Sequence, residues 1–114
     1  MLRVSVITPT YNRPHLLKKL LDSLVQQSVS AERYEVIVVS DGSTDGTHAF
    51  LDAYCAEHKT FRYIVQENQG PAAARNCGLE AAKGNIIAYT DDDCIADPDW
   101  IGEIVDLFDT QPEV

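Results

Sequence analysis

Three consecutive aspartates, Asp91, Asp92 and Asp93, follow a short apolar segment, Ile86–Tyr89, after one intervening residue. Two carboxylates about 4 Å apart repel each other by up to about 4 kcal/mol near a protein surface, so the cluster requires solvent or a cation. Carboxylate oxygens are the hard ligands that Mg²⁺ and Mn²⁺ prefer in proteins. The cluster therefore predicts either a divalent metal site or an acidic turn that caps the helix after it.

Side chains in three other polar segments are suited to recognising parts of a nucleotide. Tyr11 can stack on a base, Asp41 can accept a hydrogen bond from a base N–H or a sugar hydroxyl, and Arg75 can bind a phosphate or a base carbonyl. Each also has a purely structural interpretation. Tyr11 would then pack on a sheet, Asp41 would be an ordinary turn residue before Gly42, and Arg75 would be a solvated charge on a helix.

Four strand-like segments, each followed by a polar loop and a helical segment, must position these side chains. The strands are expected at 3–8, 35–39, 61–66 and 86–90. The helices are expected to begin at Pro14, after Gly46, at Pro71 and at Asp97-Pro98. Strands that alternate with helices predict an α/β fold with a mainly parallel sheet and helices on both faces.

Loops that follow parallel strands lie at one edge of a sheet, so the residues named above are expected to converge there. The first helix presents an apolar face to the sheet, formed by Leu16, Leu17, Leu20, Leu21, Leu24 and Val25. The third helix is rich in small residues, which permit close approach to the sheet. No internal repeat or linker divides the chain, so residues 1–114 are predicted to form a single domain.

The distribution of charge argues against several partners. The chain has a formal charge of −9, and no Lys or Arg occurs from Gly84 to Val114. The acidic residues of that stretch are Asp91, Asp92, Asp93, Asp97, Asp99, Glu103, Asp106, Asp109 and Glu113. A nucleic-acid surface or an anionic-membrane surface needs a basic patch, so neither partner is expected.

The three cysteines, Cys55, Cys77 and Cys94, are odd in number and lack Cys-x-x-Cys spacing, so neither a disulfide framework nor a zinc site is expected. The chain contains no apolar span of about 20 residues. A cytoplasmic domain is therefore expected, or one at the cytoplasmic face of a membrane if a longer parent protein is anchored. Glycine-rich dinucleotide fingerprints, phosphate-cradling NTPase loops and hydrolase nucleophile motifs are absent from the sequence.

Four segments, in this order, resemble the family 2 glycosyltransferases: Val6–Arg13, Val36–Thr47, Gly70–Gly78 and Tyr89–Asp93. The resemblance covers almost the whole chain. It implies a GT-A fold whose Rossmann-like amino-terminal half binds a nucleotide-sugar, most often a UDP-sugar. It also implies an enzyme of the hexosyltransferase class that transfers the sugar with inversion at the anomeric carbon.

The same resemblance implies roles for particular residues. The implied nucleotide-binding residues are Thr8, Pro9, Tyr11, Asp41, Arg75 and Asp92. Asp91 and Asp93 match the D-x-D motif and are implied to lie at a bound Mg²⁺ or Mn²⁺, with Asp92 towards the ribose. Three consecutive aspartates allow more than one alignment, so which of them binds the metal directly stays open.

No catalytic residue is expected within this chain. Inversion requires a general base that deprotonates the acceptor hydroxyl, and the family's pattern puts this base and the acceptor site beyond the D-x-D region. We therefore expect a donor-binding half, truncated at Val114, that binds nucleotide and metal but transfers sugar poorly. A carbohydrate or lipid-linked acceptor would belong to the full-length protein, and apolar surface exposed by truncation would favour self-association.

Three alternatives differ from this expectation. The chain would be a non-catalytic nucleotide-sugar-binding module if a longer parent protein lacked the general base. It would be a receiver-like signalling domain with bound Mg²⁺ if acidic residues followed the first strand, but Thr8-Pro9-Thr10 stands there. A nucleotidyltransferase is disfavoured because its first loop would be glycine-rich, and residues 8–13 contain no glycine.

Overall fold

The computed structural model describes residues 2–110, so Glu113 and Val114, named above, lie outside the described residues. The strands are β1 (Val4–Thr10), β2 (Tyr34–Asp41), β3 (Phe61–Gln66) and β4 (Ile86–Tyr89). The helices are α1 (Pro14–Val25), α2 (Thr47–Glu57), α3 (Pro71–Ala81) and α4 (Trp100–Thr110), and a short 3₁₀ helix covers Ala31–Arg33. The four strand-helix units predicted from the sequence are confirmed. None of the helices within residues 2–110 has the length and apolar character needed to cross a membrane.

The four strands form one parallel sheet in the order β3-β2-β1-β4. β1 pairs with β2 over its whole length, whereas its pairing with β4 ends at Ile7, opposite Tyr89. Because all four strands run in the same direction, the loops that follow them lie at one edge of the sheet. The predicted α/β fold and the shared edge are both confirmed.

Strand β1 continues past Pro9, where the sequence predicted it to close. Pro9 lies opposite Val39 of β2, at a level that β4 does not reach. The Ile7 carbonyl accepts the Thr90 N–H at 3.1 Å on the β4 side, and alternate residues of a strand direct their backbone groups to the same side. The nitrogen of Pro9 therefore faces a side without a ladder partner, so the strand tolerates a proline there.

Helices α1, α2 and α4 pack on one face of the sheet. The fully buried leucines of α1 are Leu17, Leu20, Leu21 and Leu24. Leu16 and Val25 were predicted to share this face but are 40% and 37% exposed, respectively. At about 100° per residue, both fall at the margins of the apolar stripe, so they are only partly covered.

Helix α3 is the only helix packed on the opposite face within the described residues, where Ala74 lies against Ile7, Ile37 and Val39. At Gly78 an added Cβ would lie 2.5 Å from Ile7 Cγ2, closer than a real side chain comes. The helix therefore needs glycine at this point to lie so near the sheet. The close approach predicted from the small residues of this helix is confirmed.

Helix α4 begins at Trp100, after the predicted start at Asp97-Pro98. Asp97 Oδ1 accepts the Asp99 N–H at 2.9 Å, in a turn that precedes the helix. Gln27 fixes this junction, because its Oε1 accepts the Ile101 N–H at 2.9 Å and its Nε2 donates to the Asp97 carbonyl at 2.8 Å. The loop that carries the aspartates is thereby held at its far end by the segment that follows α1.

Candidate functional site

A cleft of about 340 Å³ opens at the edge of the sheet where the strands end. The residues that line it are Pro9, Thr10, Tyr11, Arg13, Asp41, Pro71, Arg75, Asp91, Asp92 and Asp93. Of the site residues predicted from the sequence, Thr8 is the one missing from this lining. The fold thus brings together side chains from all three segments singled out in the sequence and from the aspartate cluster.

Thr8 lies inside β1 and is fully buried, so its side chain does not reach the cleft. Side chains of a strand alternate between the two faces, which puts Thr10 on the same face as Thr8 but at the open end of the strand. Thr10 lines the cleft, and so does Arg13, although neither was predicted from the sequence. The signal for Thr10 was its place at the strand end, immediately before Tyr11.

The middle aspartate, Asp92, is buried and connects the fourth loop with the first. Thr10 Oγ1 donates to Asp92 Oδ2 at 2.9 Å, and Arg13 Nη1 lies 3.3 Å from Asp92 Oδ1. Burial raises the pKa of Asp92, while the Thr10 hydrogen bond and the Arg13 charge oppose that change. Both carboxylate oxygens are therefore engaged by β1 and the residues just after it.

The outer aspartates, Asp91 and Asp93, are exposed at the rim of the cleft. One ligand atom from each of Asp91, Asp93 and Cys94 can be chosen so that all three lie within 4.8 Å of one another. Arg75 Nη2 lies 3.7 Å from Asp91 Oδ1, an exposed ion pair that contributes at most about 1 kcal/mol to stability. Two carboxylates and a thiol fit the donor chemistry of a divalent metal, with a cationic side chain nearby for a second anion.

Asp41 is buried at the floor of the cleft, where it organises the chain before α3. Its carboxylate accepts hydrogen bonds from Gln69 N–H at 2.7 Å, from Gln66 Nε2 at 2.8 Å and from Gly70 N–H at 3.0 Å. Burial alone would raise the pKa of Asp41, but these three donors outweigh it and leave the pKa below its ordinary value. Asp41 is therefore ionised at neutral pH, with three of its roughly four acceptor positions occupied.

Asn12 joins the first loop to the second and thereby holds Tyr11 at the cleft. Its φ of 53° lies in the left-handed region, where asparagine is enriched. Asn12 Oδ1 accepts the Thr44 N–H at 2.8 Å, and the Asn12 N–H donates to Ser43 Oγ at 3.1 Å. Tyr11 is 45% exposed beside this junction, so the ring is available to a ligand.

The chain is similar to known proteins over most of its length. A family model described as glycosyl transferase family 2 matches residues 5–114. The chain is 36% identical over 99 residues to the glycosyltransferase AglE of Haloferax volcanii, covering 86% of this chain and 33% of that protein. It is 36% identical over 104 residues to a validoxylamine A glucosyltransferase of Streptomyces hygroscopicus subsp. jinggangensis, covering 90% of this chain and 24% of that protein.

Solved structures give the same result for the fold. The mannosyltransferase PcManGT of Pyrobaculum calidifontis, in complex with GDP-Man and Mn²⁺, matches with a TM-score of 0.86 and 33% identity over 93% of this chain and 32% of that one. TarS 1–349 of S. aureus, in complex with UDP-GlcNAc, matches with a TM-score of 0.89 and 29% identity over 97% of this chain and 32% of that one. This chain spans at most about a third of the length of these proteins.

Proposed function

Because this chain belongs to glycosyl transferase family 2, we propose that it is the donor-binding part of an inverting glycosyltransferase. In this proposal it binds a nucleotide-sugar, a UDP-sugar in the first instance, together with Mg²⁺ or Mn²⁺. The transferred sugar is a hexose or hexose derivative, and the acceptor is a hydroxyl group of a carbohydrate or a lipid-linked molecule. Family membership excludes the receiver-like signalling domain considered above.

The observation that carries the proposal is the pairing of two exposed carboxylates with a guanidinium at one cleft. Asp91 and Asp93 offer hard oxygen atoms to a divalent cation, and Arg75 lies 3.7 Å from Asp91. A nucleoside diphosphate needs both kinds of partner, since its phosphate oxygens bind a metal and a guanidinium at the same time. When bound, the metal would neutralise the diphosphate as it leaves the sugar.

The nucleoside is assigned to the side of the cleft formed by the first two loops. Tyr11 is exposed there and would stack on the base, with Pro9 beside it. Asp41 has one acceptor position left after its three hydrogen bonds, enough for one base N–H. The contact between Thr8 and the base stays a prediction. The Thr8 side chain is fully buried, so we do not include it among the groups that contact the base.

For Asp92 we propose an indirect contribution to nucleotide binding. Its two oxygens each face one partner, Thr10 or Arg13, and the side chain is buried, so little of it is open to a ribose hydroxyl. The carboxylate instead fixes the distance between the base-binding and metal-binding loops. Asp92 then acts as a positioning residue, and the direct contacts come from its neighbours.

The general base and the acceptor site are assigned to the part of the relatives that this chain does not span. In this proposal the cleft contains no group that deprotonates an acceptor, so the chain by itself transfers sugar poorly. A longer parent protein without that base would make this a non-catalytic nucleotide-sugar-binding module. Transfer assays on the parent protein distinguish the two.

Self-association through exposed apolar residues, such as Leu79 and Tyr89, stays a prediction that light scattering tests.

Calorimetric titration of UDP, GDP and CDP, with and without Mn²⁺, tests the donor site. We expect one nucleotide to bind in a metal-dependent manner and expect Asp93→Ala to abolish that binding. Asp99→Ala is the matched control, since Asp99 is an exposed acid of the same stretch that does not line the cleft. Binding that Asp93→Ala leaves intact, or the absence of binding by all three nucleotides, would contradict the proposal.

A further inference from the structure

His48 lies on α2, outside the cleft, and is hydrogen-bonded to the end of β2. Its Nε2 lies 2.8 Å from the hydroxyl oxygen of Ser40, a fully buried residue that immediately precedes Asp41. His48 is half-buried and is not among the residues that line the cleft. A helix thus reaches, through one histidine, the residue next to the buried carboxylate at the cleft floor.

The partners of the Ser40 hydroxyl set the direction of this hydrogen bond. The Ser43 N–H donates to Ser40 Oγ at 3.4 Å, so the oxygen serves as an acceptor towards Ser43. Among residues 2–110, His48 is the one group in position to accept the hydroxyl's own hydrogen. A neutral imidazole accepts only at the nitrogen that carries no proton. We therefore assign the proton of neutral His48 to Nδ1 and the acceptor role to Nε2.

An aromatic ring of β3 lies against His48. The ring of Tyr63 is stacked on the imidazole, with centroids 6.2 Å apart and planes inclined by 21°. The Tyr63 hydroxyl donates to the carboxylate of Asp52, which lies one turn further along α2 than His48. His48 therefore joins β3 to the end of β2.

The Ser40 hydroxyl closes the turn that carries Asp41. Ser40 Oγ and the Ser43 N–H are joined across that turn. Ser43 Oγ in its turn accepts the Asn12 N–H at 3.1 Å, and Asn12 directly follows Tyr11. One chain of hydrogen bonds thus runs from α2 through the second loop to the first loop.

We propose that His48 is a positioning residue for the nucleoside side of the cleft and that it acts through the Ser40 hydroxyl. This inference rests on the proposed function, because it concerns the binding of a base at that same site. By accepting the hydroxyl hydrogen, His48 keeps the oxygen of Ser40 available to Ser43 and so holds the second loop against the first. Asp41 and Tyr11 then keep the spacing that one base requires. The metal side of the cleft, built by the fourth loop, does not depend on this contact.

Two substitutions of His48 separate the hydrogen bond from the ring. His48→Phe keeps a flat ring against Tyr63 but offers no acceptor to Ser40. His48→Gln offers Ser40 an amide oxygen but has no aromatic ring. His15→Phe is the matched control, since His15 is an exposed histidine of α1 that does not line the cleft.

Calorimetric titration with UDP and with inorganic pyrophosphate, both in the presence of Mn²⁺, measures whether the effect is confined to the nucleoside. Pyrophosphate shares the diphosphate of UDP but has no base. We expect His48→Phe to weaken UDP affinity about tenfold and pyrophosphate affinity by less than about twofold, a difference of the size that base stacking contributes. His48→Gln and His15→Phe should bind both ligands as the wild-type protein does. Equal weakening of the two ligands would assign His48 to the stability of the whole domain and overturn the inference.

The route through Ser40 has a test of its own. Because the two side chains are proposed to act as one unit, His48→Phe should cause no further loss of UDP affinity in a Ser40→Ala protein. Additive losses would contradict the proposed route. Long-range ¹H–¹⁵N correlation spectra of the wild-type protein report which imidazole nitrogen carries the proton, and a neutral His48 with its proton on Nε2 would also contradict it. If His48→Phe does not fold, as judged by circular dichroism, Ser40→Ala and these spectra decide the question.

The outcomes separate this inference from the function on which it rests. If the wild-type protein binds UDP with Mn²⁺ and His48→Phe binds it equally well, His48 is not a positioning residue and the donor site still stands. If the wild-type protein binds none of UDP, GDP and CDP, the proposed function is wrong and this inference is overturned with it. If GDP or CDP binds in place of UDP, the same comparison is made with that nucleotide.

Discussion

Carboxylates lie at both edges of the parallel sheet, but they are buried and hydrogen-bonded at one edge and exposed at the other. At the edge where the strands begin, Glu35 is 7% exposed and lies among donors supplied by three other segments of the chain. At the edge where the strands end, Asp91 and Asp93 are exposed and have few partners. The same chemical group is therefore bound by the protein at one edge and left exposed at the other.

Glu35 is satisfied almost completely by the protein. Ser5 Oγ donates to Glu35 Oε2 at 2.6 Å, Lys83 N–H donates to the same oxygen at 2.7 Å, and Arg62 Nη2 lies 3.1 Å from Oε1. Burial alone would raise the pKa of Glu35, but these hydrogen bonds and the Arg62 charge lower it below its ordinary value. Donors from β1, β3 and the segment before β4 thus close this edge around one charge on β2.

The outer aspartates have no comparable set of donors among residues 2–110. Asp91 has Arg75 at 3.7 Å, and Asp93 has the Cys94 thiol at 3.9 Å. Water solvates exposed charges of this kind. The comparison teaches that the number of donors the chain itself supplies distinguishes a carboxylate that is bound within the fold from one that is left exposed and for which we propose a ligand.

Removing the Glu35 carboxylate should produce the largest effect on stability. Glu35→Ala leaves the Ser5 hydroxyl and the Lys83 N–H without an acceptor and Arg62 without its partner, so the free energy of unfolding should fall by about 2 to 4 kcal/mol. Urea unfolding monitored by circular dichroism measures this change. Glu32→Ala, at an exposed acid nearby, is the control and should change stability by less than about 0.5 kcal/mol. Equal effects from the two variants would show that the Glu35 carboxylate does not hold this edge together.

Asp92 combines features of both edges, so its removal should have an intermediate effect. Asp92→Ala leaves the Thr10 hydroxyl without its acceptor and should lower the free energy of unfolding by about 1 to 2 kcal/mol. Asp92→Asn keeps an acceptor oxygen for Thr10 and should lose less. Nucleotide affinity, measured by calorimetry, should weaken only in step with this loss of stability. An Asp92→Asn protein of normal stability that no longer binds nucleotide would point to a direct contact instead.

Replacing Asp93 should have a small effect on stability, opposite in sign to the effects of replacing Glu35 and Asp92. In the absence of divalent metal, Asp93→Asn relieves repulsion within the cluster, so the free energy of unfolding should be unchanged or rise by up to about 0.5 kcal/mol. The same variant should lose metal-dependent nucleotide binding. Unfolding in the presence of a chelator, compared with Asp99→Asn, provides the measurement. A clear loss of stability in metal-free Asp93→Asn would mean that this edge also holds the fold.

Lowering the pH should reduce the difference in the free energy of unfolding between the wild-type protein and Glu35→Gln. Because the pKa of Glu35 is lowered in the folded state, its stabilising contribution is complete above the unfolded value of about 4.3. That contribution is lost as the pH falls through the lower, folded-state pKa. Urea midpoints measured at a series of pH values should therefore converge for the two proteins in acid. A difference that stays constant down to the lowest pH would show that the charge of Glu35 contributes nothing.

The sequence was sufficient for the architecture because the signals for it are local. β-branched runs bounded by turn residues predicted the strands, and a series of strand-helix units predicted the parallel sheet and its shared edge. These features in turn brought Tyr11, Asp41, Arg75 and the aspartates into one cleft. The family resemblance implied roles for these residues, which spacing alone does not provide, and those roles stay predictions.

Contacts between distant segments could not be predicted from the sequence. Thr10 and Asp92 are 82 positions apart, and nothing around either residue indicates that one is the other's partner. Glu35 stands at the start of a β-branched run, so its charge gave no sign of the donors that Ser5, Arg62 and Lys83 bring to it. Such pairs depend on the order and register of the strands, which are set by packing of the whole domain.

Helix α3 joins the two edges, and so its length fixes the distance between them. The Gly70 N–H, just before the helix, donates to Asp41 at one edge, while the Ala81 carbonyl at its last residue accepts from Arg62 at the other. The 11 residues of α3 span about 16 Å at 1.5 Å per residue. One residue inserted between Arg75 and Ala81 would rotate Arg75 by about 100° relative to the far end. A point substitution keeps the length of this helix, whereas an insertion or deletion would turn the guanidinium away from the cleft.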